Sequence, residues 1–307
     1  MKNKNSYFAP IVFHPGETLA EKLAEMNMGP KEFAVRTGKP EKTIIAVLNG
    51  NSSITPDMAI QFEQVTHIKA DYWMKMQNAF NAYLASDRYK TIIADAIPWA
   101  KKFPLQEMTN LGWLPQQDNM EEKTLALLSF FRLSSAAAWE NYYCNQHLKV
   151  AFRISLDKSN TPFAISAWLR QGEIVAEEMN VMDYSAKKFK SILPKLQSLT
   201  ALSMEESFDK IQKYCSSAGV KVMRIPSLKK TEISGATRWI KDAPCIQIAD
   251  SLKSKNDFWF TFFHEVGHIL LHGKKEIFLE KVAYSDWQKD KEEEADAFAR
   301  KWLMVNG

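Results

Sequence analysis

The stretch from Phe258 to His272 is the feature that most constrains this chain, because it places the pattern His-Glu-x-x-His in an almost wholly apolar segment. Residues four apart lie on one face of an α-helix, so His264 and His268 can direct their imidazoles at one metal ion. Glu265 is rotated by about 100° from His264, where it can act as a base toward a water at that metal. The pattern predicts a buried metal-binding helix; the alternative is a helix whose histidines hydrogen-bond backbone groups.

A zinc site needs a third protein ligand, and the next acidic cluster is Glu292-Glu293-Glu294. Apolar residues follow it at the spacing of a helical stripe: Ala295, Phe298, Ala299, Trp302 and Leu303. Glu294 directly precedes this stripe, so we expect it at the inner edge of a second helix, facing the first. Glu292 and Glu293 are expected to be solvated. A third histidine at the usual spacing is excluded, because position 274 is Lys274, and His272 is expected to be packed or hydrogen-bonded.

These segments together resemble the ImmA/IrrE metallopeptidase domain. The resemblance rests on G-A-x-R-W at Gly235 to Trp239, P-C-I-Q-I at Pro244 to Ile248, the histidine segment and E-E-E-A-D-A-F-A, and it covers roughly Met204 to Met304. It implies a zinc ion held by His264, His268 and Glu294, with Glu265 catalytic. It also implies a regulatory protease that cuts one or a few partners, often a repressor. The chain ends at Gly307, where relatives usually continue.

Composition bounds the class of protein. A chain of 307 residues is long enough for two or three domains, and 46% hydrophobic with 25% charged residues is ordinary for a soluble protein. The cysteines, Cys144, Cys215 and Cys245, are widely spaced and odd in number, which favours reduced thiols in the cytoplasm. The N-terminus lacks the apolar core of a signal peptide, and no apolar run approaches a membrane span. A cytoplasmic location without membrane contact is therefore expected.

The N-terminal region is predicted to form five short helices, over residues 17–26, 30–37 and 41–48 and from residues 55 and 71 onward. The glycine turn between the second and third helices is typical of a helix-turn-helix domain. Residues His14 to Ala79 resemble the Cro/C1-type (XRE) family, close to HigA-like antitoxins, through G-E-T-L-A-E-K-L, F-A-V-R-T-G-K-P-E-K-T-I-I-A-V-L-N-G and I-T-P-D-M-A.

In that fold the third helix enters the major groove of operator DNA, and homodimers bind paired half-sites. The residues then expected to contact double-stranded DNA are Arg36, Lys39, Glu41, Lys42, Thr43 and Asn49. The alternative is a helical bundle used for dimerisation. It is favoured by the near-neutral charge of residues 1–80, which hold nine Lys or Arg and eight Asp or Glu.

The fold class expected for the whole chain is α+β and mostly helical. We expect a helix-turn-helix domain over residues 1–80, a helical middle domain over 81–203 and a small zincin-like domain over 204–307. Strands are predicted over residues 219–225, 234–240 and 244–249 beside the histidine helix. Arg238, Tyr284 and His272 are candidates to face the catalytic cleft.

The function expected is a DNA-binding transcriptional regulator that carries a zinc-dependent endopeptidase. Its substrate would be a protein partner: a repressor, a toxin–antitoxin component or the chain itself. The irregular segment Leu111 to Asn119 is the best internal candidate for cleavage. The alternative is a HigA-like antitoxin and autorepressor whose zincin domain is a sensor or a partner-binding module.

Overall fold

The computed structural model describes residues 12–146, 162–229, 231, 233–252, 254–273, 278–279 and 286–304, with the side chains of 144–146, 279 and 286–288 left out. Two compact units make up the chain, Met1–Ile92 and Ile93–Gly307. Residues 93–203 of the predicted middle domain therefore belong to the same compact unit as the C-terminal sheet, and residues 81–92 belong to the first unit. Whether residues 81–203 fold as a domain of their own stays a prediction.

The first unit is all-helical. Its helices are α1 (Pro15–Glu25), α2 (Pro30–Thr37), α3 (Glu41–Leu48), α4 (Pro56–Thr66) and the first part of α5 (Ala70–Ala100). Three of them begin at a proline, whose missing N–H is not needed in a first helical turn. Gly38 ends α2 with a φ of 66°, a left-handed conformation that glycine adopts without strain.

The core of the first unit consists of apolar side chains from all five helices. Phe33, Phe62 and Trp73 are fully buried. Phe62 meets both neighbours edge-on, with ring centroids 4.9 Å from Phe33 and 6.0 Å from Trp73, a geometry that aromatic rings favour. These rings join α2 to α4 and α5, and Ile44 and Val47 of α3 pack in the same core.

The second unit begins within α5. Its first helices are α6 (Leu105–Asn110), α7 (Met120–Phe131), α8 (Ala136–Trp139), a π-helical segment (Glu140–Gln146), α9 (Pro162–Glu178), α10 (Ala186–Ser198), a 3-10 turn (Leu199–Ala201) and α11 (Met204–Ser217). Side-chain caps start several of them: Asn119 and Ser185 accept from the backbone, and Ser203 forms a capping box with Glu206.

A four-stranded sheet lies in the second unit, in the order β1-β3-β2-β4. Its strands are β1 (Lys221–Ile225), β2 (Gly235–Ile240), β3 (Ala243–Ala249) and β4 (Phe278–Leu279). β1 pairs with β3 in parallel, and β2 pairs with β3 and β4 antiparallel. Two long helices, α12 (Lys255–Leu271) and α13 (Asp286–Met304), complete the fold. The α+β, mostly helical class is confirmed, and β4 is a strand that the sequence did not predict.

The sheet separates two hydrophobic cores, because successive side chains of a strand point to opposite faces. On β3, Cys245 and Ala249 pack in the core that contains α7 and α9. Ile246 and Ile248, between and beside them, pack in the core that contains α10, α11 and α12. We call these two sides the α9 face and the α12 face.

Two sequence-level expectations concern the environment of the chain. Within the described ranges, no helix combines the length and apolar character that crossing a membrane requires. Cys215 and Cys245 are buried free thiols, and burial raises the pKa of Cys245 to about 11, which keeps that thiol protonated. The side chain of Cys144, the arm of residues 1–11 and the stretch 150–154 lie outside the described residues.

Candidate metal centre and helix-turn-helix surface

The metal-binding candidates lie on α12, which is buried on nearly every side from Phe258 to Ile269. The exposed fractions of His264, Glu265 and His268 are 2%, 0% and 1%. Ser254 caps the helix by accepting from the Asp257 N–H at 3.0 Å. Burying three polar side chains at this depth costs free energy unless partners or a metal compensate.

The two histidines converge on one point. The Nε2 atoms of His264 and His268 are 2.9 Å apart. Glu292 on α13 brings Oε2 to 3.2 Å from the His264 Nε2 and Oε1 to 3.4 Å from the His268 Nε2. Within the described part of the chain, these three residues are the set of His, Cys, Asp and Glu side chains whose ligand atoms lie close enough together to hold a metal ion.

The structure corrects the expectation that Glu294 faces the histidines. Glu292 occupies that place, with a side chain 19% exposed, whereas the Glu294 side chain is 63% exposed. Glu292 lies three residues before Ala295 and seven before Ala299, both fully buried, so it shares their face of α13. Glu294 is about 200° of helical rotation away from Glu292. The spacing to both buried alanines was the signal that could have identified Glu292.

The carboxylate of Asp296 orients His264 by contacting the ring nitrogen that faces away from Glu292. Asp296, one turn after Glu292, places Oδ1 3.0 Å from the Nδ1 of His264, and Arg300 donates to the other oxygen of Asp296 at 2.8 Å. The Nδ1–H of His264 therefore donates to Asp296, and its Nε2 lone pair points toward Glu292. Sequence reasoning missed Asp296, although its i+4 spacing from Glu292 places both on one helix face.

A longer chain of contacts orients the second histidine. His268 Nδ1 lies 3.0 Å from His272 Nδ1, and His272 Nε2 lies 3.0 Å from Glu294 Oε2. The consistent assignment has His272 donating to Glu294 and His268 donating to His272. His268 then also presents a lone pair at Nε2. His272 is thus hydrogen-bonded, as expected. It contacts Nδ1 of His268, the nitrogen that faces away from Glu292, and does not line a cleft.

The environment keeps His268 neutral. Burial, followed by the charges of His264, His272 and Lys291, lowers its pKa well below the ordinary value. The ring of Phe278 on β4 stacks on it, with centroids 3.9 Å apart. A neutral imidazole is the form that binds metals.

The side chain of Glu265 extends from α12 toward Gly235 on β2. Thr237 Oγ1 donates to its backbone carbonyl at 3.1 Å. A Cβ added to Gly235 would lie 2.5 Å from Glu265 Oε1, so glycine at this position leaves the space that the carboxylate occupies. On the other side of α12, a Cβ on Gly267 would lie 3.2 Å from the Ala295 Cα. Gly267 therefore lets α13 approach closely enough for Glu292 to reach the histidines.

Arg238 and Tyr284 were the other two candidates to face the catalytic cleft. Arg238 does not face α12: it points to the α9 face, where its Nη1 donates to Glu173 at 2.8 Å and its Nη2 donates to the carbonyl of Leu169. The strand alternation explains this, because Thr237 beside it is the residue that contacts Glu265. Tyr284 lies outside the described residues.

The helix-turn-helix pair is α2 and α3. At the start of α3, Glu41 and Lys42 are exposed and Thr43 is half-buried, while Asn49 is exposed at its end. Lys39 is half-buried in the turn, and Arg36 is exposed and paired with Glu32 at 2.7 Å. All six predicted DNA contacts therefore lie on α2, the turn and α3, and their role stays a prediction.

Known proteins are similar to this chain over two separate regions. Residues 215–306 match the Peptidase_M78 family, the IrrE N-terminal-like domain. Over 67 residues the chain is 33% identical to the uncharacterized HTH-type transcriptional regulator YddM of Escherichia coli (strain K12), which covers 22% of this chain and 71% of that protein.

Two solved structures are also similar over the helix-turn-helix length. An addiction module antidote protein of a HigA family from Coxiella burnetii is 29% identical and covers 27% of this chain and 92% of its own, with a TM-score of 0.26. The Pseudomonas aeruginosa antitoxin HigA with higBA promoter is 26% identical and covers 25% and 86%, with a TM-score of 0.25.

Fold and site together define a helix-turn-helix protein with a metallopeptidase-like domain. The chain belongs to the family of HTH-type transcriptional regulators, and its residues 215–306 form an IrrE N-terminal-like domain of the Peptidase_M78 family.

Proposed function

We propose that this protein is a DNA-binding regulator whose C-terminal domain is a zinc-dependent endopeptidase acting on a protein partner. The observation that carries the proposal is the meeting of three electron-pair donors, the Nε2 atoms of His264 and His268 and the carboxylate of Glu292, within 3.4 Å of one another. Donors of like polarity at this distance repel each other unless a proton or a cation lies between them.

The donor set fits zinc. Two imidazole nitrogens and one carboxylate are three of the four ligands of a catalytic zinc site, which keeps its fourth position open. His264, His268 and Glu292 would hold the ion, because their nitrogen and oxygen atoms already lie 2.9, 3.2 and 3.4 Å from one another. When bound, zinc supplies Lewis acidity that polarises a substrate carbonyl and makes a nearby water more acidic.

The chain's own residues supply the proton transfers and the orientation. Glu265 takes a proton from the attacking water and delivers it to the leaving amine. Thr237 donates a hydrogen bond to the backbone carbonyl of Glu265, and Gly235 leaves space for the Glu265 carboxylate. Asp296 and His272 fix the ring planes and tautomers of the two histidines.

DNA binding is assigned to α3. The kinship with an HTH-type transcriptional regulator supports it, as do the exposed Glu41, Lys42 and Asn49 on this helix. A homodimer would place two α3 helices in successive major grooves, about 34–36 Å apart. Lys42→Ala in the full chain should weaken binding to its own promoter and lower the salt dependence, whereas Lys210→Ala, exposed on α11, should do neither.

Tethering supports selective action on a protein. A protease on a DNA-binding chain meets a co-bound regulator or a toxin partner at an effective concentration in about the millimolar range for short linkers. The segment from Leu111 to Asn119 remains the internal candidate: it is irregular and mostly exposed, and Gly112 in it has a φ of 74°.

The test compares the wild type with Glu265→Gln. Each protein is incubated with zinc, operator duplex and the co-encoded partner, and new peptide termini are mapped by mass spectrometry. A terminus that appears only with the wild type supports the endopeptidase. Equal cleavage by both proteins, or none by either, would favour a regulator whose metallopeptidase-like domain senses or binds a partner without cutting it.

A further inference from the structure

A second polar site lies on the α9 face of the sheet. A cavity of about 410 Å³ is bounded by the end of α7, the π-helical segment, α9 and the end of β2. Its volume is in the range of small-molecule sites, about 300–1,000 Å³. We call it the arginine pocket and define it by Phe131, Tyr142, Arg170, Glu173, Arg238 and Trp239.

Two buried arginines share one carboxylate in this pocket. Arg170 is 6% exposed and donates from Nη1 to Glu173 Oε2 at 2.7 Å. Arg238 is 5% exposed and donates from Nη1 to Glu173 Oε1 at 2.8 Å. Both oxygens of Glu173 are therefore engaged, and among the described residues these three side chains together carry a net charge of one positive unit. A buried charge without a counterion is costly.

The remaining hydrogen bonds of the arginines involve neutral acceptors. Arg170 Nε donates to the Phe130 carbonyl at 2.8 Å, and Arg238 Nη2 donates to the carbonyl of Leu169 and, at 3.4 Å, to Gln247 Oε1. Among the described residues, no hydrogen bond from Arg170 Nη2 is present. A guanidinium edge that lines a cavity and retains donors is suited to a carboxylate.

In the described part of the pocket mouth, no further carboxylate pairs with the two arginines. Glu177 is held by Arg132 in a two-point pair, at 3.0 and 2.7 Å. Lys241, also in the lining, adds a further positive charge. The lining as a whole holds four cationic and two carboxylate side chains, so its net charge favours an anionic ligand.

The rest of the lining is aromatic. Phe131 and Tyr143 are buried, Tyr142 is 37% exposed, and Trp239 is half-buried. Burial, followed by the charge of Glu173, raises the pKa of Tyr142, so its hydroxyl stays protonated. Flat aromatic walls accept a ring by stacking or edge contact. Shape and charge together define the ligand class.

We propose that the arginine pocket binds a small aromatic carboxylate, with the carboxylate at Arg170 and the ring against Phe131 and Tyr142. The site is separate from the metal centre, because Arg238 and Thr237 are neighbours on β2 that face opposite sides of the sheet. This proposal does not depend on the proposed peptidase activity.

The test uses benzoate and its neutral isostere benzamide with the full chain, by titration calorimetry. Benzoate should bind about tenfold or more tightly than benzamide, since only the anion pairs with a buried guanidinium. Arg170→Gln should weaken benzoate binding about tenfold and leave benzamide nearly unchanged. Arg224→Gln, on β1 and outside the lining, should bind both as the wild type does.

A second variant guards against misfolding of Arg170→Gln. Tyr142→Ala removes an aromatic wall at a partly exposed position, and it should weaken benzoate and benzamide alike; circular dichroism checks that each variant is folded. Equal affinity of the wild type for benzoate and benzamide, no benzoate binding, or unchanged benzoate binding in the folded variants would overturn the proposal.

Discussion

The two faces of the sheet hold buried polar clusters of opposite sign. On the α12 face, the imidazoles of His264 and His268 meet the carboxylate of Glu292, a set of donors that suits a cation. On the α9 face, Arg170 and Arg238 share the single carboxylate of Glu173 among the described residues, an arrangement that suits an anion. In each case the internal partners compensate part of the desolvation, and the remaining charge is the basis for the ligand that we propose for that site. Disrupting one face should leave the other intact.

The largest expected effect is on catalysis at the α12 face. Glu265→Gln removes the proposed base and should slow partner cleavage by about 10²–10⁴-fold, the usual contribution of such a group. Zinc content and benzoate affinity should both stay at wild-type values, because Glu265 is not a proposed ligand and lies on the other side of the sheet from the arginine pocket. Loss of zinc in this variant would mean that Glu265 holds the metal.

The next effect is on the stability of the α9 face. Glu173→Gln leaves two buried arginines without their carboxylate and should reduce the free energy of unfolding by about 3 kcal/mol or more. Glu177→Gln removes a carboxylate whose partner Arg132 is 66% exposed, and it should cost about 0–1 kcal/mol. Urea titrations of both variants measure the difference. Equal losses would show that the buried triad is not special.

A third variant, Gly235→Ala, tests the position of the Glu265 side chain while Glu265 itself stays unchanged. Gly235→Ala forces a Cβ to within 2.5 Å of the Glu265 carboxylate, so the carboxylate must move. A displacement of about 1 Å is expected to cost about 10²-fold in the cleavage rate. Gly29→Ala is the matched control, because a Cβ there meets nothing within 4 Å. Wild-type cleavage by Gly235→Ala would contradict this role for the glycine.

The smallest effects distinguish the two groups behind the histidines. Asp296→Asn alters the direct partner of His264 and should weaken zinc binding about 10–100-fold. Glu294→Gln acts only through His272 and is mostly exposed, so its effect should be less than about tenfold. Competition with a zinc chelator ranks the two affinities. A larger loss in Glu294→Gln would reverse the order of the two groups.

Candidate site residues could be predicted from the sequence where they lie close together along the chain. His264, Glu265 and His268 lie about one helical turn apart, so their spacing alone marked them as candidates. Glu292 required the correct face of a second helix, and adjacency to the apolar stripe pointed to Glu294 instead. Arg170 and Arg238 are brought together only because α9 packs on β2, and nothing in the local sequence of either indicates the other.

The helix and strand predictions followed the same rule. Pro30 at the start of α2 and the Thr55 cap with Pro56 at the start of α4 indicated those helices directly, and the alternation of apolar and basic residues indicated β1. The two-residue strand β4 has no such pattern, and only its pairing with Ala236 and Thr237 defines it. Tertiary contacts, not local propensity, decide the elements that were missed.

The zinc content of Glu292→Ala and Glu294→Ala tests the central claim most directly. We expect about one zinc ion per wild-type chain in elemental mass spectrometry, loss of that zinc in Glu292→Ala, and its retention in Glu294→Ala. His268→Ala serves as the positive control for loss. Zinc retained by Glu292→Ala and lost from Glu294→Ala would contradict the assignment of Glu292 as the third ligand.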